Sequence, residues 1–161
     1  MFIRKNSTTA HLSRAPHLVG VFLLCLLSIS ASAEQKRVFG DYEVHYMGLN
    51  SSFLTSDVAK MYDIPRSRSL GFLNISVLQK TKGAPLPAAI DAKVTGSIRN
   101  LIGQSRELEF RRIREGQAIY YISTFSFDDG DMYNLDLEVV PSTAKQKTFD
   151  VKFSQRFYEE D

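Results

Sequence analysis

The sequence predicts an all-β domain, an antiparallel β-sandwich of immunoglobulin-like type with about seven strands and one short helix after the first strand. Three observations predict it. Runs of alternating apolar and polar residues recur, separated roughly every 8 to 12 residues by turn formers. Their inward sets are rich in aromatic residues, among them Phe110, Tyr121, Phe125, Tyr133, Phe149 and Phe153. Burying a side chain of that size contributes roughly 1.5–3 kcal/mol, so a dozen such positions stabilise a domain without cross-links. The chain's single cysteine, Cys25, lies in a leader, so the domain after it has no disulfide and must rely on apolar packing.

Residues 1–33 read as a cleaved secretory signal. Arg4, Lys5 and Arg14 make a basic start, residues 18–29 (LVGVFLLCLLSI) form an apolar run, and Ala31-Ser32-Ala33 supplies small residues for cleavage after Ala33. The run is shorter than the ~20 residues a membrane span needs. Cleavage leaves residues 34–161, one domain in the periplasm with no integral membrane segment. Without Arg4, Lys5 and Arg14, seventeen basic residues stand against eighteen acidic ones. A near-neutral domain with interspersed signs has no polyanion footprint, which excludes nucleic acid as the natural partner.

In the domain, Tyr42, Val44 and Tyr46 alternate with Asp41, Glu43 and His45, a half-buried first strand starting at Val38. Thr55 is the N-cap of a two-turn helix that carries Asp57 in its first turn and Val58, Met61 and Tyr62 on one stripe; Pro65 ends it. Residues 70–78 (LGFLNISVL) form the second strand, with Leu73, Ile75 and Val77 inward. Residues 89–98 form a weaker third, in which Gly96 points to a bulge or a close backbone approach. Residues 107–113 make the fourth, with Leu108 and Phe110 inward. Residues 117–140 then read as a hairpin around Asp128-Asp129-Gly130, setting Phe125 opposite Tyr133 and Tyr121 opposite Leu137. Residues 148–158 close the sheet with Phe149, Val151, Phe153 and Phe157 on one face.

Groups able to do chemistry are few. His45 is the one histidine after the leader, and neither Ser51 nor Ser52 lies in a nucleophile elbow, so no hydrolase is expected. Glu43 and His45, two residues apart on a strand, are the best metal ligands the sequence offers, but a zinc site needs three or four. Their ordinary reading is a solvated face, and no cofactor is expected. Asp128, Asp129 and Asp131 lack the spacing and distal Glu of a calcium loop. Arg99, Arg106, Arg111, Arg112 and Arg114 interleave with Glu107, Glu109 and Glu115, a pattern of cross-strand pairs on a wet face. Residues 49–68 are the one long irregular insertion between strands, where function concentrates in sandwiches. Its candidate binding residues are Asn50, Ser51, Phe53, Arg66 and Arg68.

The stretch FGDYEVHYMGLNSSFLTSDVAKMYDIPRSRSLGFLNISVL at residues 39–78 resembles the opening of a small secreted proteobacterial family known as a domain of unknown function, DUF4426. Residues 99–125 and the closing VKFSQRFY at 151–158 are similar to the same family. The resemblance implies an exported bacterial domain and brings no catalytic residues with it. The residues favour a non-catalytic module that binds another envelope protein. The alternatives are a small-ligand or lipid carrier with a partly hollow aromatic interior, and an enzyme using His45 with Glu43 or Ser51.

Overall fold

The computed structural model describes residues 35–160, so the leader reading lies outside the described residues. The chain forms β1 (Gln35–Phe39), β2 (Tyr42–Asn50), α1 (Ser56–Met61), β3 (Leu70–Gln79), β4 (Ala88–Ala89), β5 (Ala92–Asn100), β6 (Ser105–Glu107), β7 (Arg111–Glu115), β8 (Ala118–Ser126), β9 (Met132–Pro141) and β10 (Phe149–Arg156). Every pairing is antiparallel. One sheet runs β1-β2-β3-β8-β7, with β4 beside the end of β3, and the other runs β10-β9-β5-β6. Among the described residues no helix is long and apolar enough to cross a membrane.

The inner faces are the ones that alternation assigns. Val44, Leu73, Ile75, Val77, Leu135, Leu137, Val139 and Val151 are fully buried between the sheets. Aromatic rings fill the margins: Phe125 meets Phe157 edge-on at 5.1 Å between centroids, and Phe39 stacks on Phe149 at 4.5 Å. These side chains form one continuous cluster, and a pocket of about 280 Å³ opens at one end of it beside Ile98, Phe127 and Tyr133. Gly96 is a close approach, since a Cβ there would lie 2.5 Å from the Asp136 carbonyl oxygen. It lets β5 lie directly against β9.

Several strands differ from their sequence reading. The first divides into β1 and β2, which turn at Gly40-Asp41 and pair Phe39 with Tyr42. The third begins later, at Ala92, after the short β4. The fourth divides as well: β6 belongs to the second sheet and β7 to the first, and Leu108 makes the crossing with its N–H on the Gly96 carbonyl. The largest correction concerns residues 117–140, which are not a paired hairpin. β8 pairs with β3 and β7, while β9 pairs with β5 and β10. The turn does close, with Asp131 N–H on the Asp128 carbonyl and Gly130 at φ 72°. Its two arms are held by different neighbours, however. Phe127 N–H donates to Ser69 before β3, and Asp131 accepts from Phe157 after β10. Phe125 and Tyr133 therefore face each other across the core, at 6.4 Å, instead of along a ladder.

Candidate functional site

The insertion at 49–68 packs on the outer face of the six-stranded sheet. Asn50 closes its entrance: its Oδ1 accepts from Ser52 N–H at 2.9 Å, and its Nδ2 donates to the carbonyls of Arg68, at 2.5 Å, and Tyr158, at 3.0 Å. Ser51 Oγ donates to the Ser67 carbonyl at 3.2 Å and accepts from its N–H at 3.0 Å. Arg66 donates to the Ser52 carbonyl at 2.7 Å and to Ser56 Oγ at 3.1 Å. Asn50 and Ser51 are buried and bonded on both sides, so three of the five binding candidates hold the loop in shape. Phe53 is 62% exposed and Arg68 lies at the exposed exit.

Inside this frame α1 forms as the sequence dictates. Thr55 Oγ1 accepts from Val58 N–H at 3.3 Å, and Asp63, at φ 50°, ends the helix before Pro65. Arg111 of β7 donates to the carbonyls of Tyr62 and Asp63, a positive charge at the helix C-terminus that pins α1 to the sheet edge. Beneath it Ile64, Phe72 and Ile122 form a second buried cluster, with Leu49, Leu54, Tyr62, Ile113 and Tyr120 against it.

This second cluster is not closed. A groove of about 400 Å³ runs beside α1, with Leu54, Val58, Met61 and Tyr62 on one wall and Phe72, Asn74, Ile113, Tyr120 and Ile122 along the sheet. The helical stripe read from the sequence forms its lip: Met61 is 69% exposed, Val58 38%, and Met47 on the adjoining strand 45%. Two polar groups enter the apolar lining. Asn74 Oδ1 is buried with no hydrogen-bond partner in the protein. The Tyr62 hydroxyl bonds to the Glu115 carboxylate, which together with burial raises its pKa. Sequence reading missed the sheet half of the groove. Its signal was the unbroken Ile119-Tyr120-Tyr121-Ile122, apolar on both faces of a strand.

The Glu43–His45 face is also corrected. Glu43 is buried, not solvated, although its strand alternates as a half-wet one does. Lys80 Nζ sits 2.7 Å from Oε1, while His45 Nε2 at 3.0 Å and Lys36 Nζ at 3.3 Å share Oε2. Bonds from Lys80 first, then His45 and Lys36, hold its pKa at about 2 against an ordinary 4.5. His45 thus bonds Glu43, while Ser51 is occupied by Ser67. Among the described residues no three His, Cys, Asp or Glu side chains gather as a metal site would require. The arginines take other partners than the interleaved glutamates: Arg112 and Arg114 both grip Asp91, at 2.6 and 2.8 Å, and Arg99 faces Asp136. Asp129 accepts from Glu159 N–H at 2.8 Å.

Solved structures share this architecture. A DUF4426 family protein from Pseudomonas aeruginosa is 31% identical with a TM-score of 0.67, over 80% of this chain and 97% of that one. FetP from uropathogenic Escherichia coli is 12% identical, TM-score 0.57, over 79% and 95% of the two chains. A copper-bound variant of P19 from Campylobacter jejuni is 9% identical, TM-score 0.53, over 78% and 96%. A search of curated proteins finds no match. Residues 36–160 match the domain of unknown function DUF4426, and the chain belongs to that family.

Proposed function

We propose that this chain is an exported, non-catalytic binding module of the bacterial envelope, and that the groove beside α1 receives an apolar segment of another envelope protein. The observation that carries the reading is the open helical stripe. Met61 and Val58 stay exposed although they border a buried cluster of the same residue types, and a groove of this size takes one or two large side chains. A periplasmic location is supported by the leader sequence and by the fold it shares with FetP, a protein crystallised after expression in the periplasm.

Copper is bound in variants of FetP and P19. Here two lysines hold the Glu43 carboxylate that would serve with His45, and among the described residues no three His, Cys, Asp or Glu side chains gather around a common point. A carrier role has less support than docking: the buried side chains form one continuous cluster between the sheets, and the pocket at its end, about 280 Å³ beside Ile98, Phe127 and Tyr133, is also lined by Arg106, Asp128 and Asn100.

The test is photocrosslinking in the host envelope with a benzophenone residue at position 61. A single discrete adduct that disappears with Val58→Asp supports the reading. The same adduct pattern from a control probe at Lys93, on the other sheet, overturns it.

A further inference from the structure

The four-stranded sheet has an open edge at β10. Among the described residues this strand pairs with β9 alone, over its whole length from Phe149 to Arg156, without proline or bulge. Long regular edges of this kind are templates for another strand. One alternate set of its backbone groups serves β9. Lys152 marks the other set, since its carbonyl accepts from Arg37 of β1 at 3.5 Å, across the edge from β9. The inward set continues in Phe157, which exchanges bonds with Gly130 and Asp131. Asp150, Lys152, Ser154 and Arg156 therefore turn their N–H and C=O groups outward, and their side chains are exposed.

We propose that a second copy of this chain pairs with that edge, β10 antiparallel to β10 about a two-fold axis at Phe153. The charges select this register. An axis at Lys152 sets that lysine against itself, and an axis at Ser154 sets Lys152 against Arg156. Axes at Val151 or Gln155 leave much of the strand without an opposite residue. At Phe153 seven of the eight residues, 150–156, lie opposite one another: Asp150 faces Arg156 of the second copy, twice by symmetry, and Lys152 faces Ser154. About eight ladder bonds form, because each outward residue meets an outward residue. Phe153, half-buried and stacked on Tyr46 at 4.4 Å, meets its own copy on the axis. Arg37 guards the edge in the single copy and moves off the Lys152 carbonyl on pairing. The assembly joins two four-stranded sheets into one and carries two α1 grooves, on faces that the pairing leaves free.

Sedimentation equilibrium of the protein purified from its host's envelope tests this, with circular dichroism to check folding. The expected result is a dimer that Asp150→Arg and Arg156→Asp each weaken about tenfold or more, while the two substitutions together return the affinity to within about threefold. Arg156→Asp also loses the bond from Arg156 to the Gly130 carbonyl, at 2.5 Å, so Asp150→Arg is the cleaner single change. A monomer at all concentrations overturns the proposal, and so does a dimer indifferent to the reversals or not restored by the pair. None of these outcomes depends on what the groove binds.

Discussion

Two apolar clusters lie on opposite faces of the six-stranded sheet, built from the same residue types and finished differently. Between the sheets, β2, β3 and β8 present one row and β9, β5 and β10 another, and the central side chains lose all contact with water. On the outer face, one short helix with its flanking residues Leu54, Tyr62 and Ile64 is what covers Phe72, Ile113, Tyr120 and Ile122. Six residues of helix span about 9 Å, less than the width of three strands, so a border of apolar surface stays wet. The first cluster holds the fold and the second is available for work. The difference follows from cover, not from composition.

The strongest test of that division is truncation on the core side. Leu73→Ala, at a fully buried position on β3, should cost about 2–5 kcal/mol in urea unfolding, because a close-packed core relaxes only partly into the void. A cost no larger than that of a groove-lip substitution would break the comparison. Glu43 offers a second, pH-dependent test on the outer face. Its folded pKa, about 2, lies below the usual 4.5, so the carboxylate contributes stability in full above pH 4.5 and loses it as pH falls through about 2. Glu43→Gln, which leaves Lys36, Lys80 and His45 without their anion, should lower the melting temperature at pH 7. The gap to wild type should shrink steadily as the pH is lowered toward 2. A gap of constant size would mean that packing, not charge, accounts for the loss.

Much of the inner core was legible because alternation needs only one strand at a time. Tyr42-Val44-Tyr46, Leu73-Ile75-Val77 and Phe149-Val151 declare their faces whichever strand lies beside them. Thr55 likewise caps its helix through a contact three residues away. Pairing was less legible. The turn at Asp128-Gly130 is compatible with a ladder or with a crossing, and the choice is made by the Ser69 carbonyl and by Phe157, both distant in sequence. Glu43 failed for the same reason: its neighbours along the strand give no sign that Lys36 and Lys80 converge on it from two other segments. The groove was half legible. Its helical stripe at 58, 61 and 62 was recognised, while the matching apolar positions on β7 and β8 were read as ordinary strand.

The smallest expected effect sharpens the comparison from the other side. Met61 is mostly exposed, so Met61→Ala removes few contacts present in the free protein and should change unfolding free energy by less than about 0.5 kcal/mol. If the groove is filled by a partner, the same methionine becomes buried in the complex, where a flexible thioether adapts to an irregular apolar surface. Met61→Ala should then leave urea unfolding unchanged, while a benzophenone placed at Met47, on the opposite lip, captures its partner at a yield reduced severalfold. Loss of stability with no loss of capture would move Met61 from the open cluster to the closed one. That result would remove the physical basis for treating the α1 face as a docking surface.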